Sequence, residues 1–466
     1  MLLLQRFKCL LVLGILGFAS VGCQQYQAKP LVPRDILVNL ELGRMAVSSA
    51  NIGDELTFDK ALTMMGKHHY ELKLLKANYE ALLKAADVET PWPNPSIEFG
   101  FDDGTNTPSG TSAKVSPVFG FNFTVPLGGK LALQDDIRQL NAKQALMALQ
   151  LAHRKLYFEL KTVYHTFAQL AHKVQITQLI IDNANKRVAL TKAHMASGGA
   201  TEIDVRLMAL EAGKSELALL DQKQALHQAR ATLAKLIGTK IDSFKLPQSP
   251  LPVMDNIDLN EVKLLAILIK NHPMLVTLKG EYDIAQLQLQ KEIRKQYPDL
   301  VFGASREDEV TESTVNWGLR LGVTLPIFDQ NQHGILNAKA KREAISNKYQ
   351  LALDTLLIDV KHALVNVSLI AQQQNKLNNT LLPFAKKNVT LGENALQIGG
   401  IDALAYIDLT RTYQQLQLQR IDIDIVHVDS VLALETLIGY PLLHYPSEAK
   451  FILPLIDTGN INHATN

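Results

Sequence analysis

The chain has 466 residues, and its formal net charge of +1 gives no reason to expect a nucleic-acid partner. Aromatic residues make up only 6% of it, which argues against a compact core rich in Phe and Trp. Leu, Ala, Gln and Lys dominate instead, and this composition is typical of long helices.

Residues 1–22 predict a removable export signal. Arg6 and Lys8 precede an apolar run of about 11 residues, which is too short to span a bilayer. The stretch Ser20-Val21-Gly22-Cys23 then resembles a lipobox, the site at which bacterial lipoproteins are cut and acylated on the new N-terminal cysteine. Ser20 stands where that motif prefers Leu, so ordinary secretory cleavage remains the alternative.

The cysteines fit an exported protein with a lipid anchor. The chain contains Cys9 and Cys23, and removal of the signal leaves Cys23 alone. No internal disulfide can then form in an oxidising compartment. Gln24 follows the cysteine instead of Asp, which in the bacterial lipoprotein sorting rule favours the outer membrane. We therefore expect residues 23–53 to form a lipid-anchored extension.

The remaining sequence contains an internal tandem repeat, in which the second copy follows the first at an offset of about 200 residues. Val125-Pro126-Leu127 matches Leu325-Pro326-Ile327, and Leu236-Ile237-Gly238 matches Leu437-Ile438-Gly439. Each copy predicts a helix, two strands, a long helix, a turn and another helix. We assign the first copy to residues 54–240, a linker to 241–256, the second copy to 257–440 and a C-terminal tail to 441–466.

The long helices exceed what a globular core needs. From Lys130 to Ser197 there is no Gly and no Pro, and apolar residues recur every three or four positions. An unbroken helix of that length spans roughly 100 Å. The second copy runs from Gly334 towards Ile398 but contains Pro383, which removes a helical hydrogen bond. We expect a kink or break there.

Each long helix ends at a glycine pair, Gly198 with Gly199 and Gly399 with Gly400. Glycine readily takes the left-handed conformation that closes a helix C-terminus. Another amphipathic helix follows each pair, over 203–236 and 404–437. The sequence therefore predicts two long helical hairpins with tight tips.

Between the helices, four short segments alternate with a period of two, so that one face of each is apolar. The connections at 103–116 and 307–314 are polar and predict exposed loops. No second apolar sheet is available to pack on, and an apolar outer face with a polar inner face is the pattern of a membrane barrel. The residues that we expect to face lipid include Phe99, Phe121, Phe123, Trp317, Leu319 and Leu321.

Four strands cannot close a barrel, and an open sheet edge is not tolerated in lipid. Two chains supply 8 strands and three supply 12, and the strands alone do not choose between them. Long helices that enclose a wide tube favour three. Pro126 and Pro326 end the strand pairs, which fits a sharp change from strand to helix.

With these features the sequence resembles the TolC-type outer-membrane factor family, from about Asp54 to Tyr440. The resemblance rests on the tandem halves, on the Val-Pro-Leu-Gly-Gly and Leu-Pro-Ile-Phe-Asp strand ends, and on the tips that begin at Gly198 and Gly399. It implies a mainly α fold with a small β part, in which a long α-helical barrel joins a 12-stranded transmembrane β-barrel made by a homotrimer. It also implies an equatorial belt from residues 24–49, 240–255 and 442–466.

The resemblance further implies partners and site residues. The partners are outer-membrane lipid, a periplasmic adaptor protein and an inner-membrane pump of the resistance–nodulation–division type. Ile401 stands where some members carry an Arg that pairs with the Asp matched by Asp204, so that lock is missing or replaced. Asp408 matches one acidic position of the family's pore constriction, while Ala405 replaces its neighbour. The residues expected to dock the adaptor are Gly198, Gly199, Asp204, Gly399, Gly400 and Asp402.

No catalytic, cofactor-binding or metal-binding constellation is present in the sequence. His165 and His172 share a helical face, but two ligands fall short of the usual three or four. The absence of a phosphate-binding Gly-rich loop means that this protein cannot drive transport itself. We therefore expect a passive duct, not an enzyme.

The substrate is open at this stage. Pro93-Asn94-Pro95 before the first strand resembles the heavy-metal branch of the family, whose members serve cation pumps, but efflux of drugs or other small molecules fits as well. Two other classes stay open: the duct of a type I protein-secretion system, and a periplasmic coiled-coil spacer without a transport role.

Overall fold

The structure is a computed structural model that describes residues 27–49, 55–103, 115–240, 259–309, 314–398 and 400–443. The export signal, Cys23, Gly399, the linker at 241–256 and the tail beyond 443 lie outside these ranges. The chain divides into two units, 1–52 and 53–466. In the first unit, helix α1 spans Pro33–Ser49.

The second unit contains the predicted tandem repeat. Each copy begins with two short helices, continues with two strands, and ends with a helical hairpin. The elements of the first copy are α2 (Phe58–His68), α3 (Tyr70–Ala86), β1 (Ser96–Asp103), β2 (Val115–Val125), α4 (Lys130–Ala196) and α5 (Glu202–Ile237). Those of the second copy are α6 (Glu261–Asn271), α7 (Pro273–Arg294), β3 (Leu300–Glu309), β4 (Thr314–Val323), α8 (Gln332–Lys376), α9 (Leu382–Gln397) and α10 (Ala403–Ile438).

The four strands form one antiparallel sheet in the order β1-β2-β3-β4. Its register places Phe99 opposite Phe119, Phe121 opposite Ala304, and Ala304 opposite Leu319, so apolar residues of all four strands share one face. Within the described ranges, β1 and β4 each pair on one side only.

The long helices lie side by side in the order α5, α4, α10, α8, and nearer the sheet the order is α3, α4, α7, α8. Helix α4 is therefore central in the second unit, whereas α5 and α8 are at the ends of the row. Where α2 meets the first hairpin, a core forms around Phe58, whose ring packs edge-on against Tyr157 and Tyr164. An equivalent core forms around Leu264 and Leu268 of α6 in the second copy.

The two long helices differ as Pro383 predicted. Helix α4 runs without interruption for 67 residues. In the second copy, α8 ends at Lys376, a single π-helical turn covers Leu377–Leu381, and α9 then begins with Pro383 in its first turn. A π turn places one extra residue in the helix, which frees the proline from the hydrogen bond that it cannot donate.

The strands are longer than the sequence predicted. Asp103 and Ser116 were expected in a loop but pair within the β1–β2 ladder, and Glu307 pairs with Val118. Polar composition predicted a loop there. The hydrogen bonds between strands are made by backbone groups, so polar residues can also pair in the sheet. No helix in the described ranges combines the length and hydropathy needed to cross a membrane.

Candidate functional site

The outer face of the sheet is an exposed apolar surface. Trp317, Leu319 and Leu321 are 75%, 91% and 67% exposed, and Phe99 and Phe121 are also exposed. Phe123 is only half-exposed because the Trp92 ring stacks on it at 5.9 Å. Monomeric soluble proteins rarely expose such a contiguous patch, so this face needs a covering phase or partner.

A charged pair lies on the same face towards the strand ends that lead to residues 310–313. The Arg306 guanidinium donates to both carboxylate oxygens of Asp308, at 2.8 and 3.1 Å, and lies 5.7 Å from the centre of the Trp317 ring. Aromatic and charged residues together are typical of the boundary between hydrocarbon and water. The apolar surface therefore has a defined edge on this side.

The inner face of the sheet is polar and rich in glycine. It carries Glu98, Asn122 and Arg320, and the Asn122 amide donates to the Glu98 carboxylate at 3.0 Å. Five glycines share this face: Gly100, Gly120, Gly303, Gly318 and Gly322. One face thus suits a hydrocarbon phase and the other suits water.

The first strand-to-helix junction is held by the second copy. Lys130 Nζ donates to Asp299 at 2.6 Å, and the Arg294 guanidinium donates to the Gly128 carbonyl at 2.6 Å. Gly128 has φ +74°, and a Cβ there would lie 2.9 Å from the Tyr297 ring. A glycine at Gly128 is thus required for this close contact between the two halves of the sequence repeat.

The second junction is exposed. Phe328 is 95% exposed, and Leu325 and Ile327 are exposed beside it. This junction follows β4, the edge strand, and leads into α8, which lies at the end of the helical row. Its apolar side chains are therefore left uncovered at the same edge of the chain as β4 and α8.

Both ends of the helical row carry exposed apolar residues at intervals of seven. On α5 these are Ile203, Leu210 and Leu217, and on α8 they are Leu351, Ile358 and Val365. A seven-residue repeat of large apolar residues is the pattern of a helix that packs on a neighbouring helix. Neither stripe is covered in the described chain.

The first tip is a capped turn. Gly198 has φ +79°, as expected for a residue that closes a helix. Thr201 and Asp204 then form a capping box: the Thr201 hydroxyl accepts from the Asp204 amide, and the Asp204 carboxylate accepts from the Thr201 amide at 2.8 Å. Hydrogen bonds from the Thr201 hydroxyl and amide lower the pKa of Asp204. Gly199 is exposed in this turn.

The second tip uses a different cap. The Asp402 carboxylate accepts from the Ala405 amide at 2.8 Å, and Gly400 donates to the Ala395 carbonyl at 2.7 Å. Ile401 is half-buried here. Asp204 therefore takes part in the N-terminal cap of α5, and Asp402 caps α10. That these two residues dock an adaptor stays a prediction.

Asp408 lies about two turns into α10, with its side chain 76% exposed and 4.0 Å from the Arg411 guanidinium. Arg411 also donates to Glu211 of α5 at 2.6 Å, so it joins the two hairpins near their tips. Sequence reasoning missed this pair, which bridges the two hairpins in a chain whose Ile401 cannot form the family's ion pair with Asp204.

A buried ion pair that the sequence analysis also missed joins the two copies. Lys161 of α4 and Glu435 of α10 are both fully buried, with 2.9 Å between their charged atoms. Lys161 also donates to the Leu443 carbonyl, and Glu435 accepts from the Leu442 amide at 2.7 Å. One signal was available: Lys161 interrupts an otherwise apolar helical stripe.

The described residues contain no group of three or more His, Cys, Asp or Glu that could hold a metal ion. His165 is fully buried, neither ring nitrogen has a hydrogen-bond partner, and burial lowers its pKa to about 4. His172 is exposed on the same helix. The pair is therefore not organised as a metal site.

Comparisons with known proteins agree with this geometry. A family model described as outer membrane efflux protein matches residues 66–239. The cobalt-zinc-cadmium resistance protein CzcC of Cupriavidus metallidurans is 23% identical over 78% of this chain and 85% of its own length. The pyoverdine export outer membrane protein OpmQ of Pseudomonas aeruginosa is 24% identical over 58% of each chain. The crystal structure of CusC superposes with a TM-score of 0.67 at 15% identity, over 84% of this chain and 94% of that one.

A sheet with one apolar and one polar face, joined to a row of long helices of which α4 alone reaches about 100 Å, defines an outer-membrane channel component of the efflux type. The predicted resemblance to the TolC-type outer-membrane factor family is confirmed, since residues 66–239 match the outer membrane efflux protein model. The prediction of a mainly α fold with a small four-stranded sheet is confirmed. The assignments of individual tip and pore residues stay predictions.

Proposed function

We propose that three copies of this chain close into one passive duct, whose strands form a 12-stranded barrel in the outer membrane and whose helices form a periplasmic tube. The observation that carries the proposal is the four-stranded sheet with an exposed apolar face and two unpaired edges. An unpaired edge is not tolerated in lipid, and four strands are too few to close on themselves. Neighbouring copies supply the missing partners.

The ends of the helical row support the same closure. The stripe on α5 and the stripe on α8 lie on opposite ends of one protomer, so a ring brings an α5 end against an α8 end of the next copy. This contact is heterologous, and three of them close a ring. It also covers the apolar residues of the second junction.

The duct works as one part of a tripartite efflux system. Its tips, at Gly198–Asp204 and Gly399–Asp402, are where we propose that a periplasmic adaptor docks. An inner-membrane pump of the resistance–nodulation–division type drives the flow. Acylated Cys23 gives each copy a second attachment to the outer membrane. These assignments rest on the family resemblance.

Divalent metal cations are the substrate class that we propose. Similarity to CzcC, at 23% identity over 78% of this chain and 85% of that protein, supports it; the similarity to OpmQ of Pseudomonas putida, a pyoverdine export protein, is 21% over 74% and 77%. Three copies of Asp408 would add an acidic ring, and charged rings favour counter-ions in pores. A deletion strain tests the substrate: the proposal expects sensitivity to cobalt, zinc or cadmium salts, whereas sensitivity to drugs alone contradicts it.

Closure is tested with two substitutions on one strand. Leu319→Arg places a charge on the lipid face of β4, where it costs about 2–4 kcal/mol near the bilayer centre. Asn316→Arg places the same charge on the inner face. We expect heat-dissociable trimers in outer membranes for native protein and Asn316→Arg, and a severe loss for Leu319→Arg. Equal assembly of both variants, or a monomeric native protein in detergent, overturns the proposal.

The Asp408 ring is tested by conductance. In planar bilayers, Asp408→Asn is expected to lower the cation-to-anion permeability ratio by about twofold or more, because three negative charges are lost from one level of the pore. Asp422→Asn is the matched control, since Asp422 is paired with Lys173 at 2.5 Å. A ratio that falls equally in both variants places Asp408 outside the constriction.

A further inference from the structure

The inner face of the sheet follows a packing rule. Wherever a glycine occurs there, its partner on the neighbouring strand is a larger residue, and no two glycines lie opposite each other in the described register. The pairs are Glu98 with Gly120, Val118 with Gly100, Asn122 with Gly303, Arg320 with Gly303, Ser305 with Gly120, Ser305 with Gly318, and Val301 with Gly322.

The closest contacts also share a direction, since a side chain on each of β1, β2 and β3 covers a glycine on the next strand, whereas the reverse approach of Arg320 Cβ to Gly303 is longer, at 3.5 Å. A Cβ added at Gly120 would lie 3.3 Å from Glu98 Cβ, one at Gly303 would lie 2.8 Å from Asn122 Oδ1, and one at Gly318 would lie 2.6 Å from Ser305 Oγ. The side chains of Glu98, Asn122 and Ser305 thus lie over the neighbouring glycines on the inner face of the sheet.

Gly100 on the edge strand β1 has no such cover. A Cβ built there meets no atom within 4 Å, because Val118 opposite it does not lean over it. At the other edge, the Arg320 side chain of β4 is exposed, and its guanidinium has no hydrogen bond or ion pair among the described residues. One edge therefore offers an uncovered glycine beside the Glu98 carboxylate, and the other offers an unpaired cation.

Resting on the three-copy channel proposed above, we propose that β4 pairs with β1 of the next copy in the register that sets Arg320 opposite Gly100. The Arg320 side chain then covers that glycine and its guanidinium reaches Glu98 of the same neighbour. The packing rule of the sheet continues unbroken across the subunit boundary, and the contact is complementary in charge.

Barrel geometry selects this register from its neighbours. Ser96, Asn122, Gly303 and Arg320 lie in one row across the four strands. Pairing Arg320 with Gly100 instead of Ser96 shifts the register by about 13 Å over four strands that span about 19 Å. The resulting strand tilt is about 35°, within the range found in membrane barrels.

The other registers fail on one of these grounds. Pairing Arg320 with Ser96 gives no tilt. Pairing it with Glu98 sets Gly318 against Gly100, and pairing it with Asp102 sets Gly322 against Gly100, which leaves two glycines opposite each other. The proposed register also matches the outer faces, because Leu319, Leu321 and Val323 meet Phe101, Phe99 and Ile97.

Cysteine cross-linking measures the register directly. Arg320→Cys is combined with Gly100→Cys, and the control pairs combine it with Glu98→Cys or Asp102→Cys. Residues directly opposite have Cβ atoms about 4.5–5.5 Å apart, whereas diagonal positions are about 7–8 Å apart. After copper-phenanthroline oxidation of outer membranes, we expect covalent trimer on denaturing gels chiefly with Gly100→Cys; each single variant reports any background from the native cysteines.

A cross-link that forms best in a control pair overturns the register. Its absence from all three pairs does the same, provided that the protein still runs as a heat-dissociable trimer. A native protein that is monomeric in detergent refutes the three-copy channel itself, so the two failures are distinguishable.

Charge exchange provides an independent test. Arg320→Glu is expected to lower the temperature at which the trimer dissociates, because two carboxylates then meet at each boundary. Combining it with Glu98→Arg restores the opposite pair and is expected to recover most of that temperature. A double variant that is no better than Arg320→Glu alone contradicts the contact.

Discussion

The two helical hairpins come from the two halves of one sequence repeat, but only the first has an uninterrupted long helix. Helix α4 of the first hairpin is unbroken and has neighbours on both sides, whereas the corresponding helix of the second is interrupted at Leu377–Leu381 and lies at the end of the row. A central helix with two packed flanks tolerates no break, because each flank depends on its register. The edge helix can change its path, so the break is found where the next copy is expected to pack.

Substitutions in the buried pair between Lys161 and Glu435 test whether α4 holds the two halves of the sequence repeat together within one chain. Lys161→Ala leaves the Glu435 carboxylate buried without a counter-charge, which is expected to cost about 3–5 kcal/mol of unfolding free energy. Thermal unfolding of the detergent-solubilised protein measures the loss. The double variant Lys161→Met with Glu435→Leu removes both charges and is expected to recover most of it; a double variant as unstable as the single one contradicts this origin.

Moving the proline sharpens the comparison. Asp182 is exposed on α4 at a position close to that of Pro383 in the other copy. Asp182→Pro is expected to cost about 3 kcal/mol or more, since it removes a hydrogen bond within a helix that has no π turn to absorb it. Pro383→Ala is expected to change stability by less than about 1 kcal/mol. Similar losses in the two variants, measured by the yield of assembled trimer, argue against different tolerance of the two helices.

His165 makes the first hairpin sensitive to acid. Burial lowers its pKa from 6.5 to about 4, so the folded state binds a proton less readily than the unfolded chain. Stability from this group is present above pH 6.5 and is lost as pH falls towards 4, by up to about 3 kcal/mol. Asp429 of α10, whose pKa burial raises to about 6, titrates in the opposite sense in this window. His165→Leu is therefore expected to gain stability relative to native protein as pH falls from about 6.5 towards 4, because it removes the loss from His165 and leaves the contribution of Asp429. A difference in unfolding free energy between variant and native protein that does not change with pH contradicts it.

The tips are expected to show the smallest effects. Thr201→Ala removes the capping hydroxyl and one partner of the Asp204 carboxylate, at a cost of about 1 kcal/mol. Asp402→Ala removes one cap bond at the second tip and is expected to cost a similar amount or less. Hydrogen exchange at the first turns of α5 and α10 separates the two, since fraying confined to the altered tip is expected and fraying at both is not.

Much of this molecule follows from periodicity along the chain. A period of two fixed the apolar face that carries Phe99 and Leu319, and the absence of Gly and Pro fixed the extent of α4 to within a residue. The Lys161–Glu435 and Arg411–Glu211 pairs were not predictable, because each depends on how two helices from different copies align. Pro383 predicted a kink or break, but the π turn that precedes the proline and accommodates it is visible only in the structure.

The exposed second junction bears on how the channel is made in the cell. Phe328 and its apolar neighbours are exposed in the single chain. In the proposed three-copy channel they are covered by the next copy, so a newly exported chain is expected to be prone to aggregation until it meets two others. Below some abundance, encounters become rarer than capture by periplasmic proteases or by other unfolded chains. Yield should then rise more steeply than in proportion to synthesis, so moderate overproduction raises the number of complete channels disproportionately.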